Sequence, residues 1–201
     1  MKSKFPRILS LLTGICVLAA ALSGCGPEQK PSLPPQSGAA SSAADAQPAG
    51  SGEEESGALY ISLNGKDYTR YDFEGENTPE GLLEGIEELT GWKLSLSDGI
   101  TDGKGGMTVA FSKDACLFTG PPEVQKDEFH VYDVTQFTFA VLDSVQRTLQ
   151  CWASPLRPDS VDIYFCMETD QPLELEGLGV TWPLEQPYSH ADLEELLKQP
   201  G

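Results

Sequence analysis

Basic residues are scarce in this chain: 13 Lys and Arg stand against 31 Asp and Glu, a formal charge of −18. That balance argues against nucleic acid or an anionic lipid surface as partner, because both need Lys and Arg to neutralise phosphate. It fits a solubilising surface first, and otherwise a basic partner or loosely held cations. Histidine is rarer still, with only His130 and His190. A Cys116–His130 nucleophilic pair can be drawn, but no third group to orient the imidazole is readable. Asp98 and Asp102 lie among glycines, yet the D-x-[DN]-x-[DN]-G calcium spacing is absent, so a plain turn is the simpler reading. No catalytic residue, cofactor site or metal ligand is assigned. Long apolar runs are missing too. The longest, ILSLLTGICVLAAAL, spans 15 residues, short of the roughly 20 a bilayer-crossing helix needs.

What is present begins with that run. Lys2, Lys4 and Arg7 precede it with no acid among them, and Leu22-Ser23-Gly24-Cys25 closes it. Cationic start, short apolar stretch and small residues are the layout of a secretion signal. The last four residues resemble the lipobox of bacterial lipoproteins, in which the cysteine thiol receives a diacylglycerol and cleavage makes that cysteine the new N-terminus. The expectation is a signal peptide over residues 1–24 and lipidation of Cys25, with the mature chain held on the outer face of the cytoplasmic membrane. Each buried acyl CH₂ contributes about 0.8 kcal/mol, so two or three chains anchor stably. Loss of the leader removes three cations, leaving 10 against 31 acids, near −21. Residues 25–57 hold Pro, Gly, Ser, Ala and Gln with hardly a large apolar side chain. Such a segment cannot bury enough surface to offset chain entropy, and it reads as a disordered linker.

Residues 58–199, about 140 in all, make one domain of ordinary size. Leu59, Ile61 and Leu63 alternate with polar positions, which predicts a strand. Asn64-Gly65 predicts a two-residue type I′ hairpin turn into a second strand near residues 68–73. Thr78, Pro79 and Gly91 supply the cap, first position and stop of a helix with Leu82, Leu83, Ile86 and Leu89 on one face. Gly81 and Gly85 weaken it by up to about 1 kcal/mol each. Strands follow at WKLSLS and GGMTVAFS, with a glycine-rich turn between them. Residues 113–131 are the least readable part, and a loop that long is often functional. Asp133 caps a core-facing helix carrying Val134, Phe137, Val141, Val145 and Leu149. A strand at SVDIYFC, a further strand with an irregular return, and a short helix capped by Ser189 complete the chain. The fold class predicted is α+β, a small mixed β-sheet with two main helices packed on one face.

Four segments, in order, resemble the GerMN domain family, a sporulation and spore-germination module of Gram-positive bacteria. They are LYISLNGKDYTRYDF, TPEGLLEGIEELTG, GGMTVAFSKDA, and FTFAVLDSVQRTLQ with DSVDIYFCMETDQPLELEGLGVTWPL. Two departures are visible: Thr90-Gly91-Trp92 replaces the family's usual Gly-Pro after the first helix, and residues 113–131 lack its short acidic loop. The resemblance implies a non-enzymatic assembly or ligand-binding module in the cell envelope, with no catalytic residues or cofactor to carry over. The partner it implies is another envelope protein, met through a sheet edge or the 113–131 loop. The alternative function is an extracytoplasmic enzyme such as a cell-wall hydrolase. A two-lobed transporter-binding lipoprotein would need a longer chain.

Beyond Cys16 and Cys25, three cysteines remain. Cys151 and Cys166 are predicted about 20 Å apart, at the two ends of one strand, and should not pair. Cys116 and Cys166 emerge at one end of the sheet if their strands are parallel; a disulfide or two free thiols both stay open, free thiols being the simpler. Trp92 reads as core. Trp152 and Trp182 fall in loops and are candidates for an exposed apolar partner contact.

Overall fold

A computed structural model describes residues 57–199. Over those residues the fold is α+β, as its sequence pattern implies. Instead of one sheet there are two. Strands β1 (Gly57–Ile61) and β2 (Thr69–Phe73) form an antiparallel pair, and five further strands form a mixed sheet in the order β3-β4-β5-β6-β7. These are β3 (Thr101–Gly103), β4 (Gly106–Phe111), β5 (Asp162–Met167), β6 (Gln171–Leu175) and β7 (Val180–Trp182). Only β4 and β5 run parallel. Their crossover contains α2 (Cys116–Thr119) and the long α3 (Val134–Ala153).

The two main helices start as their caps dictate. Thr78 accepts from the Gly81 N–H ahead of α1 (Pro79–Thr90), and Gly91 ends it with φ at +80°. Asp133 accepts from the Gln136 N–H ahead of α3. Leu82, Leu83 and Ile86 of α1 join Phe137, Val141, Val145 and Leu149 of α3 in one core with Met107, Val109, Phe111, Ile163 and Phe165 of the central strands. The two glycines of α1 are packing positions. A Cβ on Gly81 would lie 2.2 Å from the Glu76 carbonyl oxygen, and one on Gly85 would lie 2.5 Å from the Phe73 ring.

Strand β1 is closed on both edges by unlike means. One edge pairs with β2. On the other, the Tyr60 and Ser62 N–H groups donate to the hydroxyls of Thr148 (2.9 Å) and Ser144 (3.0 Å) on α3. Buried N–H groups must find acceptors, and here helix side chains take the place of a third strand.

Several expectations need correction. Asn64-Gly65 does not make a two-residue turn: β1 ends at Ile61 and β2 begins at Thr69. Asn64 instead uses its side-chain oxygen to accept from Lys66 and Asp67 N–H, each at 2.9 Å. The local side-chain bond competes with hairpin closure, and Leu63 is exposed. The two-residue turn with both φ positive lies at Lys104 (+53°) and Gly105 (+83°), joining β3 to β4. Residues 92–97 do not form a strand. They touch the sheet through a bridge between Leu96 and Phe111. The 113–131 segment is no free loop. Ala115, Cys116, Leu117, Gln125, Phe129 and Val131 are buried. Gln125 holds it shut by accepting from the Trp92 indole (3.2 Å) and Val131 N–H (3.1 Å), and by donating to the Val131 carbonyl (3.0 Å).

Candidate docking surfaces and a buried polar cluster

Trp152 and Trp182 occupy different environments. Trp152 belongs to the last turn of α3; its indole donates to the Asn77 carbonyl at 3.2 Å, and the side chain is partly exposed. Trp182 lies in β7, is 1 % exposed, donates to the Gln186 carbonyl and meets the Tyr188 ring edge-on at 5.7 Å. The loop placement expected of both is therefore corrected, and so is the exposure of Trp182, because β7 turns it into the core; Trp152 is exposed as expected. Cys25 and residues 26–56 of the expected linker lie outside the described residues; Gly57, its expected last residue, is instead the first of β1.

Among the described residues Cys116, Cys151 and Cys166 are free thiols. Cys151 sits inside α3, not in the loop after it. Burial pushes the Cys116 thiol up to about 12, and burial also raises those of Cys151 and Cys166. None carries the depressed thiol of a nucleophile. His130 does not reach toward Cys116; its Nε2 lies 2.7 Å from the Gln125 carbonyl oxygen. The described residues contain no group of three metal-ligating side chains, and no described helix is long and apolar enough to cross a membrane.

The sequence gives no hint of a third constellation. Asp143 of α3 is fully buried. One carboxylate oxygen accepts from the Tyr188 hydroxyl at 2.8 Å, and the other lies 2.8 Å from His190 Nδ1 at the start of α4 (His190–Leu197). Burial pushes the Asp143 carboxyl up, while the bonds from His190 and Tyr188 pull it down. Burial, with the Asp143 charge behind it, lifts the Tyr188 hydroxyl well above its ordinary value. The His190 ring stacks on Phe139 at 4.2 Å, and Gln146 of α3 donates to the Tyr188 carbonyl. The cluster ties α4 and the segment before it to the middle of α3. Chemically, a buried carboxylate on Nδ1 fixes an imidazole's tautomer and orientation.

Three surface concavities have different linings. The first, about 620 Å³, lies between α1 and residues 94–99 and carries Glu80, Glu84, Glu87, Glu88 and Asp98. Glu87 and Glu80 already accept from the Leu94 and Ile100 N–H groups across it. The other two, about 580 and 260 Å³, lie along β2 and share Tyr71 as a wall.

No family model matches the chain, and no curated protein or solved structure matches it.

Proposed function

We propose that this chain is a non-catalytic binding or assembly module of the GerMN kind, displayed outside the cytoplasmic membrane on a lipid at Cys25, where it recruits another envelope protein. The observation that carries this reading is the Leu22–Cys25 lipobox pattern behind a short apolar run, followed by a linker-like stretch and one small domain. Replacing Cys25 with alanine should move the protein from the membrane fraction to the soluble one, and affinity capture from detergent extracts should return a defined partner. Retention of the variant in membranes would reject the anchor.

A second reading, an extracytoplasmic hydrolase, has one observation in its favour: the Asp143–His190 contact is the kind that orients a general base. It requires turnover of wall material by purified protein that Asp143→Asn abolishes. Unchanged wall material after incubation would remove it.

A further inference from the structure

We propose that the free edge of β2 receives an extended, Lys- or Arg-bearing segment of a protein partner as a third strand of the β1–β2 sheet. This rests on the binding-module reading above and names its contact surface. The register pairs Leu59 with Tyr71 and Tyr60 with Arg70. Because Tyr60 and Ser62 send their N–H groups to α3, Gly57, Leu59 and Ile61 are the residues bonded to β2. In an antiparallel ladder the bonded residues alternate. The N–H and C=O groups of Arg70 and Asp72 therefore point away from β1, and among the described residues β2 pairs with β1 alone. The edge is five residues long, regular in register and free of proline. An exposed edge of this kind is a template for strand addition.

The two concavities flanking Tyr71 lie on the face of β2 that carries Thr69, Tyr71 and Phe73. Alternate side chains of an added strand stand about 7 Å apart on one face, so two of them would straddle Tyr71. The linings hold Asp67, Glu74, Glu88 and Glu128 against the single cation Lys126, whose ammonium already donates to the Glu88 carbonyl; on the opposite face of β2, Asp72 is paired with Arg70. Like-charged partners are rejected by such a rim, and cationic ones are drawn in. A second copy of this chain, at −18, would bring its own repulsion.

The test uses the full chain with blocked heptapeptides, Thr-Lys-Val-Lys-Val-Lys-Thr and its Glu counterpart. The Lys peptide should bind saturably, the Glu peptide should not, and hydrogen exchange should slow at the Arg70 and Asp72 amides. Asp72→Pro removes an outward N–H while leaving the β1 bonds in place, and should weaken binding about tenfold or more. Glu88→Gln with Glu128→Gln should weaken it severalfold and serves if the proline variant misfolds. Absence of saturable binding up to about 1 mM, equal binding of the Glu peptide, or protection confined to other segments would overturn the proposal. Partner capture from extracts that survives Asp72→Pro would also overturn the edge, while leaving the binding-module reading in place. Turnover by the purified chain would overturn that reading without touching the edge.

Discussion

Asp143 is the residue on which local energetics turn. Its carboxylate is buried, and burial outweighs the hydrogen bonds from His190 and Tyr188, so its folded pKa lies above the ordinary aspartate value. The folded state therefore holds the proton more tightly than the unfolded one. Asp143's contribution to stability falls as pH rises from the unfolded value through the folded one, then levels off. Asparagine keeps an acceptor for the Tyr188 hydroxyl and removes the titration. Relative to wild type, Asp143→Asn should gain stability between about pH 4 and pH 7, measured by urea melts at both. Asp143→Ala should instead lose about 2 kcal/mol near pH 4, because it strands the Tyr188 hydroxyl and the imidazole, and lose less at pH 7, where the wild-type carboxylate contributes less. A wild-type-like alanine variant would show that the cluster holds nothing together.

At the scale of elements, α1 shows propensity and packing in opposition. Alanine is a better helix former than glycine by about 1 kcal/mol, so propensity alone expects Gly81→Ala to stabilise. The Glu76 carbonyl lies 2.2 Å from where that Cβ would stand. Backbone has to move, and overpacking of this sort costs about 1–3 kcal/mol. Gly81→Ala should therefore lower the urea midpoint, while the same change at exposed Glu84 should leave it nearly unchanged. The 113–131 segment makes the related point. With Cys116, Leu117 and Gln125 buried in it, cutting out residues 116–128 removes core and should unfold the domain, visible as loss of a cooperative melt.

The whole molecule is governed by its charge. At −18 formally, the surface repels itself, and salt screens that repulsion over a Debye length of about 10 Å at 0.1 M. Raising NaCl from about 0.02 to 0.3 M should raise the melting temperature, because the exposed ion pairs that salt weakens contribute little. A melting temperature that drops with salt would mean the ion pairs outweigh the self-repulsion. Seen at this scale, a partner of opposite sign gains both attraction and relief of the acidic field.

What the sequence determined by itself is what neighbouring residues decide among themselves. Thr78-Pro79 and Gly91 bound α1, Asp133 starts α3, alternation marks β1 and β4, and a short continuous apolar run marks β5, because caps and periodicity are local physics. Tertiary structure decided the rest. Asp143 meets Tyr188 and His190 across 45 and 47 residues, a pairing no spacing encodes. Trp182 was legible only as an aromatic near a turn until β7 placed it in the core. Gln125 reads as a polar loop residue, yet its amide can satisfy Trp92 and Val131 together only once both are buried beside it. Which residues of β2 turn their N–H and C=O groups outward follows from α3 taking the outer N–H groups of β1. That allocation of backbone bonds is made by packing, and the strand's own five residues do not contain it.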